Sequence, residues 1–168
     1  SYTAVDLLQK TAKMVSVAKT LSFIEVQSEF EALLLEARLV RKYIPLYNIE
    51  LKDDKSPLYI GITKEEYPRV LTFRQTDLKN ENLKHIFGPY VDGRSAKYVL
   101  RMLRHVFPYC QHKVGKRACI YNEIGLCDPC PSVLFHLESE DEKIEQTLKY
   151  KKNIRLLVSV LSGNSNKV

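Results

Sequence analysis

The sequence has no apolar run long enough to span a bilayer, which argues against a transmembrane protein. Residues 1–20 lack the basic start and unbroken apolar stretch of a secretory signal, and the first residue is Ser rather than Met. A cytoplasmic protein cut from something longer is the expectation. Internal repeats and low-complexity stretches are missing too. Hydrophobic residues at 45% and charged residues at 27% are ordinary globular usage, so disorder is not indicated. A chain of 168 residues buries a real core but leaves room for only about one domain or one and a half. A large multidomain enzyme does not fit whole.

Acidic residues are absent from one particular stretch. None occurs between Asp92 and Glu123, where Arg94, Lys97, Arg101, Arg104, Lys113, Lys116 and Arg117 supply seven positive charges. The net charge is +6, so taking these seven away leaves the rest of the chain at −1. Basicity concentrated in this way is the footprint of a nucleic-acid contact, and a solvated basic face without a partner is the bland alternative.

Cysteine is absent everywhere except between residues 110 and 130, which overlaps that stretch. Cys110, Cys119, Cys127 and Cys130 follow the spacing C-x8-C-x7-C-x2-C. Four thiols so close in a cytosolic chain point to metal ligation before disulfides. Thiolates suit a tetrahedral zinc or an iron-sulfur cluster, and only Cys127 and Cys130 form the short knuckle usual in zinc ribbons. Buried reduced thiols acting as small hydrophobes are the structural alternative. A metal here would fasten a loop poor in apolar residues and present Lys113, Lys116 and Arg117 to a nucleic acid.

Residues 7–21 have helical character and FIEVQ, residues 23–27, reads as a short strand. Ser28 and Glu31 form a capping box that opens a helix, and Pro45 stops it. Phe30, Leu33, Leu34, Ala37, Val40 and Ile44 gather on one side of that helix, with Glu36 at the margin of the apolar face, where its carboxylate can be partly desolvated and still open onto a cleft. Taken alone, Glu36 is a solvated helix residue and Asn48 a turn residue. Residues 47–52 read as extended and 53–57 as a turn. Residues 58–63 and 69–73 alternate as strands, and 86–90 run into a loop at 91–94. Ser95 is a candidate cap for a helix to about Phe107, with Lys97, Arg101 and Arg104 forming a positive stripe opposite Val99, Met102, Leu103 and Val106. A last helix over 140–161 carries Ile144, Leu148, Ile154, Leu157, Val158 and Leu161 at helical spacing and ends at Gly163.

The order and spacing of EALLLE, the basic pair Arg41 and Lys42, YIPLYN and LKDDK, within residues 28–55, resemble the UvrC family. The resemblance continues through YPRV (67–70), FGPY (87–90), CIYNEIGLCDPC (119–130) and LSG (161–163), covering most of the chain. It implies an α+β fold: a small mixed sheet with flanking helices from a truncated GIY-YIG-type domain, then a metal-stapled cysteine loop and C-terminal helices. The implied division is 1–55 for the end of the nuclease domain, 56–131 for a middle region and 132–168 for a helical segment and tail. By position in the family motif, Glu36 would hold Mg²⁺ or Mn²⁺ and Asn48 would close the same site. The four cysteines would carry a [4Fe-4S] cluster, with Zn²⁺ as the alternative; one residue fewer separates the last pair than is usual in the family. The family's substrate is damaged double-stranded DNA and its partner the UvrB subunit.

The family's tyrosine motifs and catalytic arginine normally precede Glu36 and are missing here, while Tyr59-Ile60-Gly61 falls after it and reads as coincidence. This stretch alone is therefore not expected to cut DNA. Three readings follow: a UvrC-type endonuclease piece, a non-catalytic nucleic-acid-binding module built on a zinc or iron-sulfur knot, and a purely structural metal-stapled domain.

Overall fold

Three segments rich in β-branched and aromatic residues pair into one antiparallel sheet. A computed structural model describes residues 4–47, 58–80, 82–90 and 93–163. β1 (Leu58–Thr63) lies in the middle, with β2 (Val70–Arg74) on one side and β3 (Leu83–Tyr90) on the other. A single 3₁₀ turn, Asp77–Asn80, connects β2 to β3. Ile60, Ile62 and Val70 are fully buried on the core side of the sheet. Gly61 sits where an added Cβ would come within 2.6 Å of the Phe73 ring, so the Tyr59-Ile60-Gly61 triplet holds a packing position in the sheet.

Helices cover the sheet. α1 spans Ala4–Val17, α2 Glu29–Tyr43, α3 Gly93–Val106, α4 Ile120–Glu123, α5 Pro131–Leu134 and α6 Glu140–Ser162. α2 packs on β3 and α3 through Leu34, Ala37 and Val40. Ser28 caps it by accepting the Glu31 amide at 3.2 Å, and the Glu31 carboxylate reaches back to the Gln27 amide at 3.0 Å. The reciprocal half of the capping box therefore uses Gln27 instead of Ser28. Ile44 is pushed to φ 44°, because Pro45 disfavours another helical residue before it, and this turns the Ile44 side chain out to 67% exposure. Ile44 thus leaves the apolar face on which helical spacing places it. Arg41 ties the helix to the sheet by donating to the Ile86 carbonyl at 3.0 Å.

The α+β class holds, with every strand pairing antiparallel. Several local expectations do not. Residues 23–27 form no strand, since no described segment pairs with them, and Phe23 and Ile24 are exposed at 87% and 64%. The first helix stops at Val17. Ser95 lies inside α3, which already starts at Gly93. The Gly-Pro pair of FGPY lies inside the end of β3, not in a turn: the ladder slips between Leu58 and Ile60, and Gly88 absorbs the bulge at φ 117°, with the Leu58 carbonyl 3.1 Å from where a Cβ would sit. In α6 the core side is Tyr150, Ile154, Leu157 and Leu161, whereas Ile144 and Leu148 are exposed. The helix is capped by Ser139 and closed by Gly163 at φ 79°. The extended and turn readings over 48–57 lie outside the described residues, as does Asn48.

Candidate functional site

After α3 the chain leaves regular structure, and residues 107–119 have no helix or strand. This segment folds around sulfur. The Sγ atoms of Cys110, Cys119 and Cys127 lie within 4.8 Å of one another, and Cys130 Sγ is 3.9 Å from Cys119 Sγ. Among the described residues this is the one group of three or more His, Cys, Asp or Glu side chains close enough to share a metal ion. Cys110, Cys127 and Cys130 are buried and Cys119 is half-buried. A hydrogen bond from the Cys127 thiol pulls Cys110 down to about 6, and the same bond, with burial, holds Cys127 far above the usual thiol range. Burial raises Cys119 as well. A bound cation removes this competition for protons by deprotonating the coordinating thiols. The donor set thus fits a soft thiolate-bound metal: four sulfurs converge in a pocket almost closed to water.

Four side chains help hold the loop in that shape. The Tyr150 hydroxyl on α6 donates to the Pro68 carbonyl at 2.7 Å and accepts the Cys110 amide at 3.3 Å, so one buried oxygen joins the β1–β2 turn to the first cysteine. Buried Ser132 accepts the Gly115 amide at 3.0 Å. From α6, Lys149 pairs with Asp128 at 2.8 Å, and Asn153 donates to the Pro108 and Asp128 carbonyls. Tyr150 and Ser132 escape sequence reading, because a helix tyrosine and a serine after a proline carry no signal of a partner far along the chain. The i, i+4 and i+7 relation of Tyr150 to Ile154 and Leu157 is the one clue that it faces the core.

The basic residues divide sharply. Lys97 and Arg101 are exposed on α3, and Lys113, Lys116 and Arg117 are exposed on the cysteine loop, as is Arg94 at the start of α3. Arg104 is different: it is 5% exposed and does not join a solvent-facing stripe. Its guanidinium carbon lies 4.2 Å from the Tyr109 ring centre and 3.9 Å from that of Tyr121. The reason is rotational. The buried residues of α3 are Ala96, Val99, Leu100 and Leu103, a face turned by roughly 60° from one centred on Val99, Met102, Leu103 and Val106, at about 100° per residue. That rotation draws Arg104 inward, one turn after Leu100, and leaves Met102 and Val106 exposed at 42% and 67%.

Glu36 is exposed on α2, flanking the buried face formed by Leu34, Ala37 and Val40. It stands as a single carboxylate among the described residues, outside any cluster of potential ligands. A hard divalent ion there would take its remaining oxygens from water and phosphate.

Residues 1–49 match the UvrC-like GIY-YIG domain family, and residues 57–150 match the UvrC/Cho excinuclease middle domain. No solved structure matches the chain. None of the described helices is long and apolar enough to cross a membrane. The middle-domain match covers more than half of the sequence, and the other match covers the helix that bears Glu36. The chain belongs to the UvrC family.

Proposed function

We propose that this chain serves a UvrC-type excinuclease of nucleotide excision repair, acting on damaged double-stranded DNA in the cytoplasm together with a UvrB-type subunit. Residues 1–55 contribute the metal-binding edge of the nuclease site, with Glu36 as a Mg²⁺ or Mn²⁺ ligand and Asn48 beside it. The ion, when bound, stabilises charge on the phosphodiester and its leaving oxygen. The chain's own part is to fix that carboxylate on a helix fastened to the sheet by Arg41. The glutamate and asparagine alone supply no general base, so incision belongs to the protein with a complete nuclease domain. Residues 56–131 form the DNA-contacting middle region, and residues 132–168 supply the helix that braces it.

The observation that carries this reading is the cysteine loop: four converging sulfurs hold a segment whose exposed side chains include Lys113, Lys116 and Arg117. Three of the sulfurs lie within 4.8 Å of one another and the fourth, Cys130 Sγ, is 3.9 Å from Cys119 Sγ, a donor set that serves one tetrahedral ion or a cluster. Zn–S bonds of about 2.3 Å put tetrahedral sulfurs about 3.8 Å apart, and zinc suits such a site. A [4Fe-4S] cube, the cofactor of the resemblance, places four irons between the sulfurs.

The test is the salt dependence of DNA binding. Each phosphate contact contributes about 0.9 to the slope of log affinity against log salt. Changing Lys113, Lys116 and Arg117 together to Gln is expected to flatten the slope by roughly 2 to 3. An unchanged slope would favour the purely structural reading of the metal-stapled loop.

A further inference from the structure

Arg104 is buried at 5% exposure, and its Nε and Nη2 atoms have no hydrogen-bond partner. No carboxylate is paired with it among the described residues. Two buried guanidinium nitrogens without an acceptor are costly, and the two tyrosines stacked on the group offset only part of the desolvation. Both tyrosines belong to the cysteine segment: Tyr109 precedes Cys110, and Tyr121 follows Cys119 by two residues. The stack continues outward, since the Tyr121 ring lies 6.2 Å from that of His112 at an interplanar angle of 25°. Arg104 therefore sits against both chain arms that carry the first two cysteines. No carboxylate among the described residues balances this buried charge.

A metal centre supplies the reason. Four thiolates around a divalent ion carry twice its charge, which leaves net negative charge inside a medium that screens it poorly. We propose that Arg104 is a positioning residue for the cysteine centre, its stacked guanidinium serving as the buried counter-charge of the metal-thiolate group. This rests on the metal centre of the preceding section. The same logic applies to one zinc ion or to an iron-sulfur cluster, because both are held by four thiolates with excess negative charge.

The sign of two effects separates a counter-charge from a packing residue. Arg104→Met keeps much of the stem and removes the charge; Arg104→Lys keeps the charge and removes the planar stack. The whole chain, reduced and metal-free, is titrated with Zn²⁺ against a chromophoric chelator, and urea unfolding of the metal-free form is followed in parallel. Arg104→Met is expected to weaken Zn²⁺ binding at least tenfold while leaving the metal-free protein as stable as the unsubstituted chain or more so. Arg104→Lys is expected to bind Zn²⁺ within a few-fold of the unsubstituted chain. If Arg104→Met binds Zn²⁺ unchanged, the counter-charge is overturned. The same holds if both variants lose metal-free stability and affinity in parallel, which is the signature of packing alone. An unsubstituted chain that takes up no Zn²⁺ under these conditions, and holds no iron when purified anaerobically, overturns the metal centre itself, and the counter-charge with it.

Discussion

Replacing Cys127 by serine is expected to release the metal and drop the thermal midpoint by more than about 10 °C. Cys127 is fully buried at the centre of the sulfur group, and no other described side chain is placed to take over its position. Apart from its hydrogen-bonded anchors, the segment around it has little regular structure. α4 and α5 are four residues each, too short to stand without tertiary support. A structural zinc contributes about 10–16 kcal/mol in small metal-dependent folds, whereas losing one buried hydrogen bond costs about 1–3 kcal/mol. Even half of the lower metal figure, at about 2–4 °C per kcal/mol for a chain of this size, comes to about 10–20 °C. Calorimetry or circular dichroism checks the midpoint. Limited proteolysis should cut first between residues 111 and 126. Treating the unsubstituted protein with chelator and reductant should reproduce the loss, and the same treatment should add nothing to Cys127→Ser. A midpoint within 2–3 °C of the unsubstituted protein would mean that packing, not ligation, holds this loop.

The second large effect is on chemistry. In the protein with its complete nuclease domain, Glu36→Gln is expected to slow incision of a damaged duplex by roughly a thousandfold. Metal stabilisation of transition-state charge is worth several kcal/mol, and each 1.36 kcal/mol is tenfold in rate. The substitution keeps shape and hydrogen-bonding capacity and removes the anionic oxygen that a hard cation prefers. Since Glu36 is exposed, unfolding should be unaffected. DNA affinity in the absence of divalent ion should be unchanged too. The assay is incision against Mg²⁺ or Mn²⁺ concentration. If Glu36→Gln cuts at the normal rate, Glu36 is not the ligand, and the binding-module reading gains.

Much of the fold is legible from local pattern. The capping box at Ser28, the break at Pro45, the strand at 58–63 and the closing Gly163 each report a short-range rule, and each lies where that rule puts it. What sequence leaves hidden depends on partners distant in the chain. FIEVQ has the composition of a strand, yet a strand exists only where a neighbour accepts its hydrogen bonds. FGPY has turn chemistry, but the ladder with β1 takes the glycine as a bulge. In α3, charge suggests an outward Arg104, while the aromatic rings at 109 and 121 come from a segment whose path no periodicity reveals. The cysteines were the most readable part of the site, since thiol clustering is a signal in itself. Their buried tyrosine and serine anchors were not.

The central claim is that the four cysteines hold a metal centre that shapes the basic loop. Its most direct test is metal analysis of the anaerobically purified protein, together with its visible spectrum and a count of reactive thiols before and after chelation. The expected result is metal bound at the four cysteines, as one colourless zinc per chain or as iron with a brown visible band, and four thiols that react only once it is removed. Four thiols reactive from the outset, with no bound metal, would contradict the account.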